Sequence, residues 1–175
     1  VIMTPKCLLR HPRAGSSLAD LAEGRFQRVI DDPTGRARAE EVTRLVLCTG
    51  KVYIDLLGAL AKDDPTSNNG MPPNVAVARV EELYSFPADE LRAVIASYPA
   101  LRELVWLQEE PRNMGAWNYI TPRLREILDP AIPIVYVGRP DSASPAEGSL
   151  SLHSVEQARI LAEALHTSTL APATR

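Results

Sequence analysis

The sequence predicts a three-layer α/β/α sandwich built on a mainly parallel β-sheet. Three observations predict it. Four short apolar runs recur along the chain, "RLVLCT" (44–49), "NVAVARV" (74–80), "LRELVWLQ" (101–108) and "IPIVYVG" (132–138). Each is followed by a stretch with helical apolar spacing, and strands alternating with helices imply right-handed crossovers and a sheet covered on both faces. The length of 175 residues suits one such core and leaves little room for a second.

The elements follow in order. Val1-Ile2-Met3 reads as a strand already under way, as in a piece cut from a longer chain. Residues 10–43, rich in Arg, Asp, Gly and Pro, carry a weak helix signal around Leu18 to Ile30 and are expected to form an arm over the sheet edge. The first strand ends at Gly50, a turn residue, and "KVYIDLLGALAK" then has apolar residues at 52, 56, 57 and 60, one face of a helix. "DDPTSNNGMPPN" (63–74) is a surface loop by its Pro, Asn and Gly content. After the second strand, "ADELRAVIASY" is a helix with Leu91, Val94 and Ile95 inward. After the third, "AWNYITPRLREIL" is a helix that Pro122 either starts or kinks. "SLHSVEQARILAEAL" (151–165) closes the domain, with Val155, Ile160, Leu161 and Leu165 expected to face inward, and the tail after His166 is expected to fray. The organisation is thus an N-terminal strand and arm at 1–43, an α/β domain at 44–166 and a tail at 167–175.

Composition excludes several classes. A chain 45% hydrophobic and 23% charged is globular rather than disordered. A net charge of −3 gives no basic face for nucleic acid. The charge is uneven: residues 1–39 hold seven Lys or Arg against four acids, net +3, so the remainder balances at −6. No apolar run approaches the ~20 residues that span a bilayer, and no charged-then-apolar leader is present. Cys7 and Cys48 form no metal-ligand spacing, and reduced thiols in a cytoplasmic protein are expected.

Candidate chemistry concentrates at the strand-to-helix turns. "CTGKVY" places Gly50 and Lys51 where a helix begins, which could hold an anion. Without GxxxxGK[ST] or GxGxxG, a structural turn is favoured. Glu81-Glu82 and Glu109-Glu110 follow strands at the carboxyl edge of the sheet, where open α/β folds collect ligands. Paired acids suit acid/base work or Mg2+, but salt bridges to Arg79, Arg112 or Arg139 are favoured. His11, His153 and His166 form no HxxxH or HExxH pair, so no zinc site is expected. His153 reads as a capping or interface residue. Ser142, Ser144 and Ser149 lack a GxSxG context, so a nucleophilic serine is not expected.

Taken in order, "TGKVYIDL", "ARVEELYSFPADEL", "VWLQEEPRNMGAW" and "GRPDSASPAEGS" followed by "HSVEQ" closely resemble the C-terminal domain of 2-oxoglutarate dehydrogenases. The opening "VIMTPKCLLRHP" resembles the segment that leaves the preceding domain of that family. These are thiamine-diphosphate-dependent decarboxylating components of the 2-oxoglutarate dehydrogenase complex. The resemblance implies a transketolase-like architecture in which thiamine diphosphate and Mg2+ lie between two other domains. Neither the GDG motif nor the activating glutamate's context occurs in these 175 residues, so no catalytic, cofactor-binding or metal-binding residue is expected here.

The resemblance further implies that this third domain braces the others and contacts the homodimer partner. The full enzyme passes a succinyl group to a lipoyl group on the dihydrolipoyl succinyltransferase core. The interface candidates are then Lys51, Glu81, Glu82, Glu109, Glu110, Arg112, Asn113 and Arg139. Two alternatives stand beside this. The +3 balance of the first 39 residues suits a regulatory module for acetyl-CoA or a nucleotide, with Lys6, Arg10 and Arg13 as the anion site. The acids Glu109 and Glu110 would also suit a docking surface for the succinyltransferase core.

Overall fold

The computed structural model describes residues 4–63 and 71–165. Two 3-10 turns, Lys6–Leu8 and Pro12–Ala14, lead into helix α1 (Leu18–Glu23), strand β1 (Val29–Ile30) and the short helix α2 (Pro33–Arg36). Then come β2 (Arg44–Cys48), α3 (Lys51–Asp63), β3 (Val75–Val80), α4 (Ala88–Ala96), β4 (Glu103–Pro111), α5 (Trp117–Ile127), β5 (Ile134–Arg139) and α6 (Leu150–Leu165). The predicted strand at residues 1–3, the tail from 166 onward and most of the loop at 63–74 lie outside the described residues.

The five strands form one sheet in the order β1-β3-β2-β4-β5. β2 lies parallel between β3 and β4, with Val46 level with Val77 and Val105, and β5 runs parallel to β4. Only β1 is antiparallel, pairing Val29 with Val80 at the edge. The α/β/α prediction holds. Because side chains alternate along a strand, Leu45, Leu47, Ala78, Leu104 and Trp106 face one way, under Leu91 of α4 and Ile120 and Leu124 of α5. Val46, Cys48, Val77, Val105 and Leu107 face the other, under Val52 and Leu56 of α3 and Ile160 and Leu161 of α6. Each fully buried Leu or Val contributes roughly 1.5–3 kcal/mol by leaving water, so two full layers of them account for a sheet with both faces covered.

Three expectations need correction and a fourth, left open between two alternatives, is narrowed. Val155 is 64% exposed, not inward. Five residues separate it from Ile160, about 140° around a helix of 3.6 residues per turn, whereas Ile160, Leu161 and Ala164 share the buried stripe. Of the two places left open for Pro122, it takes the one inside α5; next to it, Thr121 Oγ1 donates to Trp117 O at 2.7 Å. β4 continues past residue 108 to Pro111, with a register irregularity against β5 between Leu107 and Pro111. The weak helix signal at 18–30 resolves into a six-residue helix and an edge strand. α1 is fixed by a capping box in which Ser17 and Asp20 exchange bonds, and Arg28 O accepts from Glu81 N as the chain joins the sheet.

Candidate inter-domain surface at the carboxyl edge

Gly50, at φ 69°, makes the left-handed turn that joins β2 to α3. It places Lys51 in the first turn of α3, beside the end of β4. The Lys51 ammonium donates to Asp55 one turn along and to Glu109 Oε1 at 2.8 Å. Gln157 of α6 donates to the same two acids, to Asp55 Oδ2 at 2.8 Å and Glu109 Oε1 at 3.0 Å. Two donors and two carboxylates thus alternate around a closed ring that joins α3, β4 and α6. Burial alone would lower the Lys51 pKa, but the bonds to Asp55 and Glu109 outweigh it and the net shift is upward. Lys51 is therefore committed within the chain, and the turn holds no free anion site.

The segment 106–117 is built around Gln108, which is 3% exposed. Its Oε1 accepts from Trp106 Nε1 and from Trp117 N, both at 3.0 Å. Its Nε2 is shared among the carbonyls of Glu110, Pro111 and Met114 at 2.9–3.2 Å. One amide therefore fastens both tryptophans and the intervening turn. Gly115, at φ 63°, completes it: a Cβ there would stand 2.9 Å from Gln108 Nε2. Arg112 N donates to Arg139 O at 3.0 Å, and the exposed guanidinium of Arg112 lies 5.9 Å from the Trp117 ring centre and 5.7 Å from that of Tyr136. Burial pushes the Tyr136 phenol up to about 12, against the opposing influence of Gln108, Arg112 and Arg139. Asn113 and Ser142 exchange two bonds, at 2.9 and 3.1 Å, which tie the loop after β5 to this turn.

Several of the other candidates are also braced from within. Glu81 sits 3.5 Å from Arg79, as the sequence predicts, and Glu82 pairs with Arg28 at 3.3 Å. Glu109 pairs with Lys51 rather than Arg112 or Arg139; Arg139 donates to the Glu109 carbonyl at 2.6 Å and pairs with Glu147 at 3.2 Å. Glu110 is exposed, and its carbonyl accepts from Gln108 and Tyr136. Lys6, Arg10 and Arg13 are exposed and make no ion pair among the described residues; Arg13 instead donates to the Leu57 carbonyl of α3. His153 lies in the first turn of α6, its N–H bonded to Ser149 O, and helps line a cleft of about 840 Å³ between α3 and α6 that His11, Lys51, Asp55 and Gln157 also border.

Sequence reasoning missed Gln108, Asp55, Gln157 and Arg28. Gln108 had a signal, a polar residue at an inward position of an apolar strand, and Asp55 had the i,i+4 spacing from Lys51. Gln157 and Arg28 had none, since their partners are brought near only by the fold. The paired acids do not fit a magnesium diphosphate site. Glu81, Glu82 and Glu109 point to three different cations, the Glu110 side chain is exposed, and no group of three His, Cys, Asp or Glu side chains that could hold a metal occurs among the described residues.

A family model described as "2-oxoglutarate dehydrogenase C-terminal" matches residues 15–165. The chain belongs to the 2-oxoglutarate dehydrogenase C-terminal family. It is similar to the 2-oxoglutarate dehydrogenase E1 components of Exiguobacterium sp. at 47% identity, Geobacillus sp. at 45% and Shouchella clausii at 43%. Each alignment covers 94% of this chain but 17% of the relative, so the chain spans about a sixth of the length of these curated relatives. In this chain the turn around Gln108 and the ring around Glu109 explain the "WLQEEPRNMGAW" stretch as scaffold.

Proposed function

We propose that this chain is the C-terminal structural and dimer-contact domain of a 2-oxoglutarate dehydrogenase, and that it serves catalysis by assembly rather than by supplying reactive groups. The whole enzyme would bind thiamine diphosphate and Mg2+ in its other domains. As a cytoplasmic homodimer it would decarboxylate 2-oxoglutarate and pass the succinyl group to a lipoyl group of the succinyltransferase core in the citric acid cycle. Residues 1–43 would lead in from the preceding domain, and residues 44–166 would form the α/β unit.

One observation supports this reading above the rest: the more buried polar groups of the carboxyl edge are spent on the chain's own architecture, while Glu110 and Arg112 stay exposed. Lys51, Asp55, Glu109 and Gln157 close on one another, and Gln108 is saturated by backbone and indole partners. A general base needs an acceptor facing a substrate, and these acids face cations. Titration of the 175-residue chain with thiamine diphosphate and Mg2+ in a calorimeter is expected to give no binding heat. Micromolar affinity would overturn the proposal.

A further inference from the structure

The segment after β3 displays an aromatic residue on a rigid mount. Tyr84 is 85% exposed, although Leu83 and Phe86 on either side of it pack against the core. Four bonds hold the backbone around it: Glu81 N and Glu82 N donate to Arg28 O at 2.9 and 3.2 Å, Tyr119 Oη to Leu83 O at 3.0 Å, and Arg28 Nη2 to Ser85 O at 2.8 Å. The antiparallel course that pairs Val29 with Val80 and Arg28 with Glu81 runs outward to Phe26, which is 70% exposed. Two large aromatic side chains are thus offered to solvent at one end of the β1–β3 edge.

The acids around Tyr84 are paired within the chain. Glu82 and Glu90 both pair with Arg28, at 3.3 and 2.9 Å, Glu81 with Arg79 at 3.5 Å, and Asp89 with Arg92 at 2.8 Å. A surface meant for a transient partner keeps unpaired charge to steer the encounter. A surface that is permanently covered has apolar anchors at its centre and no charge left to satisfy. A side chain already held in one place also loses less freedom on binding.

We propose that Tyr84 and Phe26 are the anchor of a permanent interface, seated in an apolar recess of the same polypeptide outside these residues. This rests on the reading of the chain as one domain of a longer enzyme, whose relatives carry about five-sixths of their length beyond the aligned part. It names the aromatic end of the β1–β3 edge, rather than the acidic turns, as the place where covering matters most.

The test is thiol accessibility in the full-length enzyme carrying Tyr84→Cys, with labelling by iodoacetamide followed at this peptide by mass spectrometry. Labelling at least about tenfold slower than in the urea-unfolded enzyme is expected, and must persist when the enzyme is diluted until it is monomeric. Labelling as fast as in the unfolded enzyme overturns the proposal. Protection that vanishes on dilution overturns it in favour of a second copy of the chain. Phe26→Ser should lower the full-length enzyme's melting temperature, while Tyr84→Phe, which keeps the ring, should leave it unchanged. An enzyme in which Tyr84→Cys labels freely while charge reversal at Glu110 still weakens the dimer would sink this anchor and leave the domain assignment standing.

Discussion

Gln108 carries more of the local structure than any charged neighbour, because it is the one side chain whose donors and acceptors meet both ends of the 106–117 segment. Replacing it with Leu keeps the volume but removes the partner it gives to the buried Trp106 indole N–H, the Trp117 amide and the Met114 carbonyl, while the Glu110 and Pro111 carbonyls keep Tyr136 Oη and Met114 N. A loss of about 3 kcal/mol or more is expected in urea unfolding, whereas Glu110→Gln, on an exposed side chain, should stay within about 0.5 kcal/mol. Arg44 presents a different case. It is 1% exposed, pairs with Glu103 at 2.7 Å and donates to the carbonyls of Glu163 and Ala164. Arg44→Met should cost about 3–5 kcal/mol by stranding the Glu103 charge. The double change Arg44→Met with Glu103→Leu should recover only part of that, since the two helix-end carbonyls remain unserved; a double-mutant cycle measures the remainder. Residues of this kind were the least legible in the sequence. The charges of Lys51 and Glu109 were visible, but the partners that turn them inward stand 58 positions apart.

Elements were far more legible than residues. β2, β3, β4 and β5 are dense in branched apolar residues because both sheet faces are covered, and that density survives in the sequence as four unmistakable runs. The errors fall where an element leaves the core. α6 begins before it reaches the sheet, so Leu150, Leu152 and Val155 are exposed, and β4 outlasts its apolar run because side-chain bonds hold the more exposed Glu109 and Glu110 and carry the strand on to the buried Pro111. The ring of Lys51, Asp55, Glu109 and Gln157 fastens the solvent-facing half of α6 to β4. Lys51→Met leaves two carboxylates near each other without their cation. Because the group is only partly buried and Gln157 still serves both acids, the global cost should be modest, about 1 kcal/mol. The local effect should be clear: faster amide hydrogen exchange through the first half of α6, with α5 unchanged.

For the whole molecule, the ionisable groups with raised pKa values point the same way. Burial pushes the Cys48 thiol from 9.0 up to about 12, with Arg79 opposing; burial also raises Tyr136 to about 12, and Lys51 is raised by its two acids in excess of its burial. In each case the folded protein holds the proton more tightly than the unfolded chain. Their stabilisation is complete below the unfolded values and declines as pH rises from 9 toward 12. Cys48 alone should contribute on the order of 4 kcal/mol of that decline. Denaturant melts at successive pH values should therefore show Cys48→Ala flattening the slope above pH 9, whatever its effect at neutral pH. In the full-length enzyme, charge reversal at Glu110 together with Arg112 should weaken dimerisation in sedimentation, while each half-reversal at the self-contained Asp89–Arg92 pair should not.

The buried Arg44 also sets a timetable. It belongs to the first of the core strands to be synthesised, yet two of its three partners are the carbonyls of Glu163 and Ala164, 119 and 120 positions later. A ribosome that has delivered all five strands has still delivered a domain with a cation waiting at the end of its sheet. Glu103 neutralises that cation, and the last turn of α6 supplies the two acceptors it still lacks, so a chain stopped short of residue 164 leaves two buried guanidinium N–H groups without the partners seen here.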